Sequence, residues 1–417
     1  MEEAETLELY ELPYSDLQLL SSSTLKSSSS LEELDRLDLV RTTIMEALGP
    51  TGPGLLSLTG VPNAAILRRS LPLARNLALL NPENRKRILK EQKLGGDVPL
   101  KNPERNVSSF AMQLKFEQNL CEEHYSISEC EDREFGNLGN SLKKLGFCMM
   151  DIGLCLARVC DHAIGGQELE RSLLESCAAK GRLIHYHSVL DGQLLQEQDI
   201  RNKRVNSKRE RRKLSNGEPT LPEGNNFHSN LWQQWHYDYG IFTVLTAPLF
   251  LQQAVKEEDQ YPEPESLSKE CDYPNGHTYL QIFDPNKNCV FKVKASPESF
   301  IIQVGESAEV ISKGKLRATL HSVGRPGKLD NLSRETFVVF LQPAWDKVLY
   351  ISEYLEKCSN QEETEEKCFG KQHQSNEEIH KIVPQLSSRL KDGMTFADFS
   401  RETTKQYYGG SGLQSNR

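Results

Sequence analysis

His236 and Asp238, in the run WQQWHYDYGIFTVL, are separated by one residue. On an extended strand, side chains two apart point to the same face. This pair can therefore offer an imidazole and a carboxylate to one ion. His-x-Asp recurs by chance, so the pair needs a third member. His321, in GKLRATLHSV after the turn SKGK, supplies a second imidazole from another strand-like run. Two histidines and one carboxylate are the facial donor set for non-haem iron(II), which leaves coordination positions open. The expected metal ligands are His236, Asp238 and His321.

Arg334 opens the strand-like run RETFVVFLQP, which is expected to lie beside the His321 strand. Thr336, two residues on, should face the same way. A planar guanidinium beside a hydroxyl suits a buried carboxylate. An iron triad with such a clamp is the equipment that 2-oxoglutarate requires. Each residue has a plainer explanation when taken alone: strand histidine, turn former before Gly240, core histidine, surface ion pair. Their joint occurrence, in order and on strand-like segments, favours a site.

The surrounding elements must position these groups. Ser30 reads as the N-cap of a helix over LEELDRLDLVRTTIMEAL, with acids in its first turn, and GPTGPG at 49–54 ends it. A short strand is expected around Glu11–Leu17 and another at 55–61. Helices are expected at 63–80 and 81–92. Leu142, Leu145, Met149, Ile152, Leu156 and Val159 recur in steps of three and four, the pattern of a long core helix. Cys148 and Cys155 flank that stripe and leave a thiol site as its alternative. RLIHYHSVL at 182–190 reads as a strand. From residue 241, IFTVL, TYLQIF, CVFKV, SFIIQV, AEVIS and FVVFL read as strands between turn signals. Many short, evenly spaced strands suggest a sandwich or jelly roll.

The chain has 417 residues and a net charge of −9, a poor balance for binding phosphate backbones. Its ten cysteines include no C-x-x-C pair, which argues against structural zinc. The acidic opening MEEAETLELYEL lacks the pattern of a secretory signal, so reduced thiols in an intracellular protein are expected. No apolar run approaches the roughly 20 residues of a membrane span. The segment 201–213 holds eight basic residues and one acid and reads as an exposed loop. Its cluster at 208–213 also fits a nuclear import signal, as the alternative to a cytoplasmic location. CSNQEETEEK reads as a solvated loop. No repeat of 20–50 residues is evident.

With these motifs in view, the chain resembles the plant-type iron(II)/2-oxoglutarate dioxygenases, the group similar to isopenicillin N synthase. The resemblance runs from about Glu11 to Pro343. GLLSLTGVPNAAILRR is similar to the family's N-terminal strand and helix. HYDYGIFTVL matches H-x-D-x-G-x-x-T-x-L through His236, Asp238, Gly240, Thr243 and Leu245. QVGESAEVISKGKLRATLHSV resembles the run that ends in the second histidine. RETFVVFLQP matches R-x-[S/T]-x-x-x-F-x-x-P through Arg334, Thr336, Phe340 and Pro343. RLIHYH, with Arg182 and Tyr186, resembles the strand that carries a tyrosine near the cosubstrate. Ile184 stands where the family has asparagine, and Thr336 where serine is commoner.

The resemblance implies an α+β protein with a double-stranded β-helix (a distorted jelly roll) at 181–345, carrying loop insertions at 187–230 and 251–277. Residues 1–30 would be a mobile acidic and serine-rich N-terminus, 31–180 an N-terminal helical region and 346–417 a C-terminal helical extension. It implies iron(II) as cofactor and 2-oxoglutarate as cosubstrate, with ascorbate in support. Arg334, Thr336 and Tyr186 would serve the cosubstrate. A small organic substrate would be hydroxylated or desaturated with dioxygen while succinate and CO2 are released, by a monomer that binds neither nucleic acid nor membrane. Two other readings stay open: a catalytically idle jelly-roll binding protein, and an oxygenase of a macromolecule contacted through 201–213.

Overall fold

The computed structural model describes residues 5–22, 30–96, 106–116, 134–197, 230–253, 268–356 and 383–408. The basic loop 201–213, the run CSNQEETEEK and most of both insertions lie outside them.

The strands of the two main sheets are, in chain order, β1 (Thr6–Glu8), β2 (Glu11–Pro13), β3 (Leu55–Thr59), β4 (Gly95–Gly96) and β5 (Val107–Lys115). There follow β6 (Ala178–Tyr186), β7 (Leu231–His236), β8 (Phe242–Thr246), β9 (Leu249–Gln253) and β10 (Ser268–Cys271). The last are β11 (Leu280–Asp284), β12 (Cys289–Lys294), β13 (Phe300–Val304), β14 (His321–Gly324) and β15 (Leu332–Leu341). The smaller sheet has the order β1-β12-β11-β14-β7. The larger has the order β2-β3-β13-β8-β15-β6-β5-β4, with β9 on β15 and β10 on β9. Strands from residues before 181 thus complete the larger sheet on both sides. One apolar cluster, including Tyr186, Leu245 and Val338 from the larger sheet and Trp232, Ile282 and Phe291 from the smaller, packs between the two.

The other face of the larger sheet is covered by helices. Helix α1 (Tyr14–Ser21) follows β2, so a strand reaching Leu17 is corrected: Pro13 fits the extended backbone before a helix start. Helix α2 (Leu31–Leu48) begins as expected, with the Ser30 hydroxyl accepting from Glu33 N at 3.2 Å. The single helix expected at 63–80 is two, α3 (Ala64–Arg68) and α4 (Leu73–Leu79). Pro72 separates them because it lacks an N–H and disfavours helical backbone before it. Helix α5 (Pro82–Glu91) has Asn81 as its cap. The long helix α6 (Leu138–Ile164) buries the expected stripe. It lies close on the sheet because a Cβ at Gly153 would sit 1.9 Å from Leu341 Cδ1. Helix α7 (Glu168–Ser176) packs against α6.

AEVIS is not a strand: α8 (Glu306–Ile311) occupies that place. A short apolar run does not distinguish the two periods, and Gly305 lets the chain turn after β13. The short helix α9 (Leu386–Arg389) and α10 (Phe396–Tyr408) close the described chain. Among the described residues no helix is long and apolar enough to cross a membrane.

Candidate metal centre

His236 ends β7 and His321 begins β14, and the register sets them opposite each other. Their ring centroids are 4.2 Å apart. His236 Nδ1 donates to Gln234 O at 2.7 Å, and His321 Nδ1 donates to Thr319 O at 3.0 Å. Both backbone bonds favour the tautomer with an unprotonated Nε2, the usual outer support of ligand histidines. Asp238 Oδ1 is 3.8 Å from His236 Nε2, and Asp238 Oδ2 is 3.8 Å from His321 Nε2. One ligand atom from each residue lies within 4.8 Å of the others. An ion about 2.1 Å from each atom fits that spacing, and two imidazoles with one carboxylate suit iron(II).

Asp238 lies beyond the end of β7, so strand alternation does not place it; the turn into β8 does. Glu306 N donates to Asp238 O at 2.8 Å, and Ser307 N donates to Gly240 O at 3.0 Å. Close approach requires glycine at 305, since a Cβ there would sit 2.3 Å from Gly240 O, while a Cβ on Gly240 would sit 2.6 Å from Leu341 O. Tyr237 N donates to Tyr407 OH at 3.1 Å, which ties the turn to α10. Arg389 holds Glu306 at 2.8 Å beneath it. The Asp238 carboxylate itself accepts from Thr243 Oγ1 at 2.7 Å. Burial, then the neighbouring His321, push the His236 pKa down to about 4. That imidazole is neutral near pH 7, the form that binds metal.

Arg334 lies in the larger sheet. β15 pairs with β6, β8 and β9, whereas β14 pairs with β11 and β7. The expected neighbouring of the Arg334 and His321 strands is therefore corrected: the chain crosses between sheets after β14. The arginine still faces the shared interior, 1% exposed, with its guanidinium 4.9 Å over the Tyr186 ring and Nε donating to Thr278 O at 3.1 Å. Thr336 Oγ1 donates to Thr246 O at 3.1 Å. Tyr186 OH donates to Gln233 Oε1 at 3.0 Å, and Gln233 Nε2 lies 2.9 Å from His236 Nε2. Gln233 thus links the tyrosine to the histidine pair. Sequence reading misses Gln233, Tyr407 and Arg389. Only proximity in space joins them to the site, and no local spacing announces it.

A second buried group, His185, His187 and Asp191, has comparable spacing. Its charges are already balanced. Arg75 donates to Asp191 Oδ1 at 3.0 and 2.9 Å, and His185 Nδ1 lies 2.9 Å from Glu335. Burial alone would lower the His185 pKa, but Glu335 and then Asp191 outweigh it and lift it to about 9. With Arg75 on Asp191 and His185 between Asp191 and Glu335, the group reads as a buried ion network. On α6, burial pushes the Cys148 thiol up to about 11, which works against a reactive thiolate at that position.

No family model matches the chain, and no curated protein matches it either. Solved structures do. A full-length Neurospora crassa protein, in complex with alpha-KG and 5-formyluracil, is 13% identical with a TM-score of 0.50, covering 97% of this chain and 99% of that one. A putative 2OG-Fe(II) oxygenase family protein from Caulobacter crescentus is 12% identical with a TM-score of 0.50, covering 94% and 97%. The chain therefore shares the overall fold of these proteins.

Proposed function

We propose that the protein is an iron(II)- and 2-oxoglutarate-dependent dioxygenase that oxidises a small organic substrate. The observation that carries this reading is the convergence of His236 Nε2, His321 Nε2 and the Asp238 carboxylate, each with its outer atoms already bonded. The fold shared with a 2OG-Fe(II) oxygenase family protein supports it. In this reading the two sheets form a double-stranded β-helix at 181–345, flanked by the N-terminal helical region and the C-terminal extension.

His236, Asp238 and His321 hold the iron. When bound, iron and 2-oxoglutarate supply the oxidising chemistry, consuming dioxygen and releasing succinate and CO2. The protein's own groups bind and orient. Arg334 pairs with the far carboxylate of 2-oxoglutarate, and its burial makes that charge-assisted bond strong. Thr336 adds a hydroxyl by rotating away from Thr246 O. Tyr186 packs under the guanidinium and keeps its plane fixed. Gln233 leaves His236 Nε2 when the metal arrives and stays on Tyr186. Thr243 orients the Asp238 carboxylate, and the apolar cluster between the sheets excludes water.

The test is succinate formation from 2-oxoglutarate by purified protein loaded with iron(II). Turnover in the parent, lost in Asp238→Ala with an unchanged circular dichroism spectrum, supports the reading. A parent with no iron-dependent turnover, coupled or uncoupled, would leave a binding protein.

A further inference from the structure

The inner face of the larger sheet carries a second arginine. Side chains alternate along β6, so Arg182, Ile184 and Tyr186 point into the space between the sheets, while Leu183 and His185 point to the helices. Tyr186 is opposite Arg334, and Arg182 is opposite Val338. Four residues of strand, about 13 Å, therefore separate the two arginines' places along β6. They differ in company. Arg334 is fully buried and bonded. Arg182 is half-buried, its guanidinium lies 5.6 Å over the Phe340 ring, and among the described residues it forms no ion pair. Its Nε is buried without a hydrogen-bond partner.

Gln303 repeats the pattern. It is opposite Thr243, the residue that bonds Asp238, and Thr243 is in turn opposite Phe340. Gln303 is 2% exposed, and its Nε2 has no partner. Arg182 on β6 and Gln303 on β13 thus lie to either side of Phe340 on the inner face, with Thr243 of β8 between Phe340 and Gln303, toward the end of the sheet nearest Asp238. Both unpaired atoms are donors. A buried donor left unmade costs about 1–3 kcal/mol, and each such donor in a native interior calls for a group to receive it. The group that satisfies a guanidinium and an amide N–H together is an acceptor with negative charge.

We propose that Arg182, assisted by Gln303, binds a carboxylate of the substrate, so that the substrate class is an apolar-bodied organic acid seated over Phe340. This rests on the oxygenase reading, in which Arg334 is reserved for the cosubstrate. The two arginines divide two carboxylates between them: the deep one takes 2-oxoglutarate, and the one beside the metal turn takes the molecule to be oxidised.

The experiment uses the full chain loaded with Mn(II) and saturating 2-oxoglutarate, which blocks Arg334. Binding of phenylacetate and octanoate is compared with that of phenylacetamide and octanamide by ligand-observed saturation-transfer NMR. The parent is expected to bind an acid at least about tenfold better than its amide, as a charge-assisted pair requires. Arg182→Gln is expected to lose that preference and Arg182→Lys to keep part of it, while both bind Mn(II) and 2-oxoglutarate as the parent does. Gln303→Leu, which leaves the guanidinium in place, is expected to weaken acid binding by a smaller factor. Failure of both acids to bind the parent, equal binding of acid and amide, or full acid binding by Arg182→Gln would each overturn the proposal. Loss of Mn(II) or 2-oxoglutarate binding in the parent would instead overturn the oxygenase reading beneath it.

Discussion

Two clusters among the described residues, one half-buried and one fully buried, hold the same residue types and opposite charge states. In one, His236 and His321 give their Nδ1 hydrogens to backbone carbonyls, and among the described residues the Asp238 carboxylate forms no ion pair with an arginine. In the other, His185 lies between Glu335 and Asp191, and Arg75 covers the aspartate. The first holds a histidine pushed down to about 4, the second a histidine lifted to about 9. Spacing alone would make both metal centres. What separates them is whether the protein has already supplied the cation. The two sit on different sides of the larger sheet: Arg334 points to the space between the sheets, and Glu335, the next residue, points to the ion network.

The largest expected difference between the clusters is in metal binding. His236→Ala and His321→Ala should abolish Mn(II) binding in anaerobic calorimetry, because two ligands hold a divalent ion far more weakly than three. His187→Ala should bind as the parent does. The reverse pattern would exchange the two assignments.

Stability should respond in the opposite sense. Asp191→Ala strands Arg75 and His185 as buried charges and should cost about 3–5 kcal/mol in urea unfolding, whereas replacing Arg75 and Asp191 together by Met and Leu should recover most of it. A cost below about 1 kcal/mol for Asp191→Ala alone would mean the network is solvated. Next in size, Arg334→Ala should raise the Kd for 2-oxoglutarate at least about tenfold, with Lys intermediate, while Mn(II) affinity holds. Thr336→Ala should lose about 1 kcal/mol of cosubstrate binding.

The smallest effect concerns pH. His185 has its pKa raised in the folded protein from 6.5 to about 9, so its contribution is complete below pH 6.5 and is lost as pH rises through about 9. Thermal melts should show the parent losing on the order of 2–4 °C between pH 8 and 10 relative to His185→Gln. Parallel curves would show that His185 is not protonated in the fold.

The three residues proposed as metal ligands are legible in the sequence because their spacing is short or sits on strand-like runs, and Arg334 because it opens an apolar strand. Helices with a cap and a long stripe, such as α2 and α6, are equally plain. What escapes depends on tertiary contact. Nothing near Glu306 announces α8, whose N–H groups hold the Asp238 turn, and nothing near Tyr407 links it to Tyr237. The crossing from β14 to the other sheet is invisible because strand order leaves no mark on composition. Arg182 reads as part of a strand motif, and its missing partner becomes visible only in three dimensions.

The central claim is that His236, Asp238 and His321 hold an iron that 2-oxoglutarate chelates within reach of Arg334. The direct test is to titrate 2-oxoglutarate anaerobically into iron(II)-loaded protein and follow the visible charge-transfer absorbance of the chelate. The account predicts a saturable band with one 2-oxoglutarate per chain, absent in His321→Ala and requiring at least about tenfold more 2-oxoglutarate in Arg334→Ala. A parent with no band, or a His321→Ala variant that keeps it, would contradict the assignment.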